Sequence, residues 1–466
     1  KQDCPTCRLI VPVIGALASR ADTSLSIYIQ DDPAFLQPTA NRHDDSSLEF
    51  SFRHDIEVVP TLISMADGKE LERIYGWDRN QWRAFTGISD LGATLPDFKP
   101  GCGSKIRDPG MTEVLELRFG AYQPASRSLL IDESEDLIEA CFDRGWSDGL
   151  PVVPPTPLRV HKMLKAGGRE AEEIIGSIPP DYVSCTVEKA AINAVLAGCK
   201  PEYFPTVLAV IEAALDERFC LHGLLCTTYF SSPVVIVSGP ESRRIGMNSG
   251  VNALGQGNRA NATIGRALQL LVRNVGGGKP GGIDRAALGT PGKYTFCFSE
   301  DESNPDWPSL AMDRGFDRQD SVVSLFAGDG VQGILDQQSR LPESLARSLA
   351  LSLRTVANAK LFMMADAILV LSPEHRRVFV QGGWSKAQVK QAIIEALRTP
   401  GSEIIRGVGG IAEGMPAQFK DKTLNKFRDD GFHIVSAGGT AGLFSAIIGG
   451  WVASGERGSQ LVSKKL

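Results

Sequence analysis

Two cysteines three residues apart, Cys4-Pro5-Thr6-Cys7, head an apolar stripe of Leu9, Ile10, Val13, Ile14 and Leu17, spaced as on one helix face. A C-x-x-C at a helix start constrains the fold more than any other feature of this chain. A helix N-terminus offers free N–H groups and the positive end of the helix dipole, and both stabilise a thiolate. On that ground Cys4 reads as the exposed nucleophile of lowered pKa, and Cys7 as the resolving thiol one turn inside. The surroundings read as a small α/β unit over residues 1–95. A short strand is expected at 24–30 and a second at 58–63, entered through Pro60. A hairpin turn at Asp67-Gly68, a returning strand at 70–75 and a closing helix at 77–85 follow.

Residues 96–125 are rich in Pro and Gly (Pro96, Pro100, Gly101, Gly103, Pro109, Gly110), which should break regular elements, so a linker carrying Cys102 is expected there. Cys102 lies between two glycines, with Lys105 and Arg107 nearby. It is either a flexible linker cysteine or an open thiol that exchanges with Cys4 or forms part of the main active site. From residue 126 onward, helix and strand patterns alternate. The helices are expected at 131–144, 188–197, 204–215, 262–275, 340–356 and 386–397. The strands are expected at 234–238, 321–327, 367–371 and 433–436. The pattern is that of an open, Rossmann-like α/β sheet, divided here into a central domain (126–300) and a C-terminal domain (301–466) that could be halves of one module.

Several segments of this module could bind a small anionic substrate. Gly255, Gly257, Asn258, Arg259 and Asn261 run into a helix that also carries Arg266, and glycine-rich helix starts hold anions. Asn261 or Thr263 is the expected cap. Lys293 follows Pro291-Gly292, and Gly438, Gly439 and Thr440 form a second turn after a strand. His375 follows Ser372-Pro373-Glu374, a string that reads either as acid/base chemistry or as a capped helix start. Cys185, one residue before the cap Thr186, reads as a nucleophile or as a buried cysteine. Cys220, His222 and Cys226 do not have the spacing of a metal site. Neither a Walker spacing nor a G-x-G-x-x-G after a strand is present, so no cofactor and no metal are expected.

Composition narrows the partners. The formal net charge of −6 leaves no basic footprint for nucleic acid, and no run of 18 apolar residues suggests a membrane span. Nine cysteines, an odd number at irregular spacings, suit reduced thiols in a cytoplasmic protein better than a secreted disulfide framework. The expected partners are a small molecule and an external thiol or disulfide reductant; a homo-oligomer stays open. Little sequence precedes Cys4, so a strand before the redox turn, and with it the natural N-terminus, is expected to be missing.

The C-x-x-C at a helix start, Val59-Pro60-Thr61 downstream and the hairpin–helix ending resemble the thioredoxin superfamily, although the motif is not the Trp-Cys-Gly-Pro-Cys of thioredoxin itself. The resemblance implies a thioredoxin-like fold for residues 1–95. It also implies a cis Pro60, with the backbone of Val59 aligning a substrate disulfide. Cys102-Gly103-Ser104 resembles the Sec/Cys-Gly-Ser-Cys signature of the UGSC family of bacterial (seleno)proteins, with Lys105 at the last Cys. Most of residues 143–400 resemble proteins associated with that family, through strings such as Asp148-Gly149-Leu150-Pro151, Asn261-Ala262-Thr263-Ile264-Gly265-Arg266 and Gly383-Trp384-Ser385-Lys386. The expected function is a thiol-dependent oxidoreductase in which the C-x-x-C domain serves the larger module, acting on a small sulfur-containing or anionic substrate. The alternatives are a carbon–sulfur or carbon–heteroatom lyase or transferase using a cysteine, and a binding protein with a vestigial redox pair.

Overall fold

The apolar stripe behind Cys4 forms two helices, Pro5–Leu9 and Val11–Ala18, broken at Ile10 because Pro12 has no N–H to continue the ladder. This computed structural model describes residues 1–20, 24–36, 41–451 and 458–466. The chain divides into two units, Lys1–Pro124 and Ala125–Leu466.

In the first unit, strand Ile27–Ile29 pairs in parallel with Arg42–Asp44. The strand expected at 58–63 is split at Pro60, whose peptide bond with Val59 is cis. Val58–Val59 pairs with Cys102–Gly103, and Thr61–Ala66 pairs with Lys69–Tyr75. Asp67 and Gly68 both have positive φ, 50° and 74°, as a two-residue hairpin turn of the primed type requires. Helix Arg79–Thr86 is capped by Asp78. Trp77 and Trp82 pack with Ile10, Val13, Leu17 and Leu91 into the core of this unit. Their indole N–H groups donate to the carbonyls of Pro96 (2.6 Å) and Gly76 (3.0 Å), so each ring is buried with its polar atom satisfied.

The stretch 96–125 is not a linker. It contributes strand Phe98–Lys99, strand Cys102–Gly103 and helix Met111–Phe119, and it belongs to the first unit. Its glycines allow close approach and do not interrupt structure. A Cβ on Gly101 would lie 2.4 Å from Val58 Cγ1, and one on Gly76 would lie 2.6 Å from the Gly101 nitrogen.

The second unit is of the α/β class, but its sheet is not a parallel, Rossmann-like one. Six strands run in the order Cys297–Ser299, Ser232–Ser238, Val322–Leu335, Phe444–Gly450, Ala365–Leu371, Phe427–Ser436, with Val462–Lys465 added on the long third strand. Only the two outer pairs are parallel; the four interior pairings are antiparallel. The strands 232–238 and 297–299 therefore share a sheet with those beyond 301, and no boundary falls at residue 300. Both faces of the sheet are buried. Ala367, Leu369 and Leu371 point into one core with Leu345, Leu349 and Ile393, while Ile368 and Val370 point into another with Val234, Ile236 and Phe298. This two-sided burial explains the uninterrupted apolar run Ala367–Leu371. Among the described residues no helix is long and apolar enough to cross a membrane.

Candidate functional site

Three cysteines from two chain segments, the C-x-x-C helix start and the strand Cys102–Gly103, meet in the first unit. Cys4 is the N-cap of helix Pro5–Leu9, and its sulfur accepts from the Cys7 N–H at 3.3 Å. The Cys4 thiol faces the Val59 carbonyl at 3.6 Å, on the segment that precedes cis Pro60. Cys102 is paired directly with Val59 across the two-stranded ladder. These side chains form one apolar cluster in which Cys4, Cys7, Ile56 and Val59 are buried and Cys102, Phe35 and Ile63 pack against them. No cysteine of the chain is in a disulfide.

The electrostatics separate the three sulfurs. Burial raises the Cys4 thiol, but donation from the Cys102 thiol, from the Cys7 N–H and thiol and from the Thr6 N–H outweighs it, and the net shift is downward from 9.0. Burial pushes Cys7 up to about 12, reinforced by its position beside Cys4. Cys102 is also raised, by burial first and by its hydrogen bond and charge interaction with Cys4 second. Of the three sulfurs, Cys4 is thus the one whose thiolate is favoured, and the other two are shifted toward the thiol. One expectation is corrected: Cys4 is not exposed, at 1% relative accessibility, because Cys102 and Val59 pack over it; Cys102 is the member of the cluster that reaches the surface.

A buried polar network anchors the Cys102 strand. The Gln30 amide donates to both Ser51 and Ser104 hydroxyls at 2.7 Å, and its carbonyl accepts from the Lys105 N–H at 3.1 Å. Ser51 in turn donates to Asp45 at 2.5 Å. On the other side, the Thr6 hydroxyl donates to the Pro100 carbonyl at 2.6 Å, tying the C-x-x-C helix to the same strand. None of Gln30, Ser51 and Asp45 stood out in the sequence, because single polar residues in strands and turns carry no pattern; Ser104 was visible only as part of the Cys102-Gly103-Ser104 string.

In the second unit the expected residues are placed but mostly occupied. Asn258, rather than Asn261 or Thr263, caps helix Arg259–Asn274; its side chain accepts from the Asn261 N–H. Asn261 is buried and bonded to both the N–H and the carbonyl of Asn248. Arg259 donates to the Gly198 carbonyl. Arg266 grips Asp148 with two bonds of 2.8 and 2.7 Å and also reaches the Leu150 and Pro151 carbonyls, so it braces the proline-rich segment 148–151 and is not free for an anion. Gly255 and Gly257 lie in an exposed loop. The Gly438 N–H donates to the Ser249 carbonyl and Gly439 abuts Val251, which brings the two glycine-rich loops together, while Thr440 stays exposed. Lys293 is held by both carboxylate oxygens of Asp284 at 2.7 Å.

Both ring nitrogens of His375 are occupied by the protein's own groups. The residue is fully buried, with its ring nitrogens on Ser445 Oγ (2.7 Å) and the Asp336 carbonyl (3.0 Å), in a helix capped by Ser372. Thr186 caps helix Val187–Ala197, yet the neighbouring Cys185 is buried and raised to about 11, so it is not a thiolate at neutral pH. Cys226 and His222 lie 3.6 Å apart, but among the described residues no cluster could hold a metal ion.

The sequence reading also missed Glu300, which directly follows strand Cys297–Ser299. It is buried where the ends of three strands meet, accepting from Ser238 Oγ (3.1 Å) and the N–H groups of Leu310 (2.7 Å) and Ser436 (3.5 Å). Burial pushes its carboxyl up to about 7 although Lys386 is 4.0 Å away, because that ammonium is already paired with Asp313 at 2.7 Å. Three acids in a row after a strand, Glu300-Asp301-Glu302, were the available signal. Lys426, which looked ordinary, is buried with its ammonium donating to three carbonyls, of Val356, Asn358 and Leu361, each at 2.8 Å.

No protein family, curated protein or solved structure matches this chain. What fold and site define is an α/β protein in which one unit carries a buried three-cysteine cluster and the other a two-sided mixed sheet.

Proposed function

We propose that the chain is a thiol–disulfide oxidoreductase whose reacting centre is Cys4, Cys7 and Cys102, carried on a thioredoxin-like first unit and serving the larger second unit. The observation that carries this reading is the convergence of three sulfurs on the cis Val59–Pro60 segment, with the thiol at the helix N-terminus lowered and the two beside it raised. A parallel strand pair, a cis-proline, a hairpin and a closing helix in this order support the thioredoxin-like assignment.

The step balances as follows. The Cys4 thiolate attacks one sulfur of a disulfide R–S–S–R′, forming Cys4–S–S–R and releasing R′S⁻, which takes up a proton. Cys7 or Cys102, losing its own proton, then attacks the Cys4 sulfur, expels RS⁻ and closes an internal disulfide. The substrate disulfide gains two electrons and the protein dithiol loses them; an external thiol reductant restores the dithiol. Cys102, partly exposed and bonded to Cys4, has to swing aside for the first attack, and Cys7, or Cys102 on its return, is then placed to resolve the adduct.

The test uses glutathione disulfide as the probe. In a Cys7→Ser, Cys102→Ser variant, intact-mass measurement is expected to show one glutathione on Cys4 that persists, while the wild type passes through the adduct to an internal disulfide. A folded double variant that acquires no adduct on Cys4, or a wild-type adduct as long-lived as that of the variant, would overturn the proposal.

A further inference from the structure

The second unit contains a cavity of about 520 Å³ between helix Arg259–Asn274, the start of strand Ser232–Ser238 and the loops 278–294. That volume is within the ~300–1,000 Å³ typical of small-molecule sites. Its charged walls are nearly self-compensating. Asp148 is paired with Arg266, and Lys293 with Asp284. Arg273 is the exception: its Nε is buried and, among the described residues, has no hydrogen-bond partner. Ser231 and Ser232, each 1% exposed, line the same cavity, and their hydroxyls are buried and without partners among the described residues.

A buried donor without a partner costs roughly 1–3 kcal/mol, so three on one cavity wall call for an acceptor that is not part of the protein. One uncompensated guanidinium and two hydroxyls match a single oxyanion, and guanidinium–carboxylate geometry is bidentate. Beside the polar Gln269, Thr290 and Tyr294, part of the wall is apolar, with Leu224, Leu225 and Val272 buried along it. A bare inorganic ion would leave that surface uncovered. We propose that this cavity binds a small organic monocarboxylate, its carboxylate on Arg273, Ser231 and Ser232 and its hydrocarbon or aromatic body against the leucines. Gly292 leaves room for the Ser232 hydroxyl, because a Cβ there would lie 2.4 Å from Ser232 Oγ. The site lies wholly in the second unit and does not depend on the thiol chemistry proposed above.

The experiment is calorimetric titration of the full chain with benzoate, hexanoate and inorganic phosphate, together with melting curves. Benzoate or hexanoate is expected to bind with Kd of about 1 mM or tighter, with phosphate weaker than both. Arg273→Gln should weaken the carboxylate by about tenfold or more. The Ser231→Ala, Ser232→Ala double variant should bind several-fold more weakly and, with no ligand added, melt no lower than the wild type, since it removes two unpartnered hydroxyls. That pairing keeps the test decisive even if Arg273→Gln misfolds. Absence of carboxylate binding, binding unchanged in the serine variant, or phosphate binding as tightly with the same sensitivity would each overturn the proposal.

Discussion

Cys4 and Cys185 share a local setting and behave in opposite ways. Each stands immediately before the first turn of a helix, where the dipole and free N–H groups favour a thiolate. Each is buried. Cys4 is nonetheless lowered and Cys185 raised to about 11. The difference lies in the donors. The Cys4 sulfur is the cap itself and receives the Cys7 N–H and the Cys102 thiol, whereas Cys185 is one residue earlier, Thr186 takes the cap, and the Cys185 thiol is a donor to the Thr186 carbonyl at 3.4 Å. A helix start therefore activates a buried cysteine only when hydrogen bonds to the sulfur exceed the cost of burial. Cys199, buried just past the C-terminal end of helix Val187–Ala197, has no helix start beside it and is raised to about 12 by burial.

The largest effect to be expected is in alkylation. At pH 8 a thiol near pKa 11 is ionised in about one molecule in a thousand. Iodoacetamide followed by peptide mass mapping should label Cys4 and the partly exposed Cys102 in the native protein, and Cys185 and Cys199 only after denaturation. Equal native labelling of Cys185 would break the comparison. Next in size, Cys102→Ala removes a donor to Cys4, so the pH profile of Cys4 alkylation should move upward; a profile that stays in place would assign the lowering to the helix alone.

Ser104→Ala takes a partner from the Gln30 amide and should cost about 1–3 kcal/mol in denaturant unfolding of the first unit. A loss well below 1 kcal/mol would mean that the Cys102 strand is held by other contacts. A further test extends the rule to a carboxyl. Glu300 is raised from 4.5 to about 7 when folded, so the folded state holds its proton more tightly than the unfolded one. The stability it contributes is present in full below pH 4.5 and is lost as pH rises through about 7. Glu300→Gln should flatten the fall in melting temperature across that window, and an unchanged slope would show that Glu300 stays ionised beside Lys386.

Much of the fold was legible in the sequence because the signals were periodic or stereochemical. Helix Lys386–Leu397, the apolar strand ending at Leu371 and the Asp67-Gly68 turn each carry such a mark. Strand direction carries none, which is why a mixed sheet was read as a parallel one. The glycines and prolines of 96–110 were read as breakers, yet at Gly101 the missing Cβ is what lets a strand lie against Val58. Of the candidate site, Cys4 and Cys7 were legible from spacing and the segment Val59–Pro60 through its resemblance to the thioredoxin superfamily, and the placement of Cys102 opposite Val59 was not, since that register depends on pairing between residues far apart in sequence. His375 and Arg266 misled because a polar side chain after a strand or in a helix looks the same in sequence whether it meets a ligand or, as here, the protein's own Ser445 or Asp148.

The central claim is that Cys4, Cys7 and Cys102 act as one exchanging set. The most direct measurement is disulfide mapping by mass spectrometry after equilibration in glutathione buffers from reducing to oxidising. The account predicts that the first disulfide to form, and to reverse, joins Cys4 to Cys7 or to Cys102, with Cys141, Cys185, Cys199 and Cys297 still free. If those three stay thiols under conditions that oxidise cysteines of the second unit, the account is contradicted.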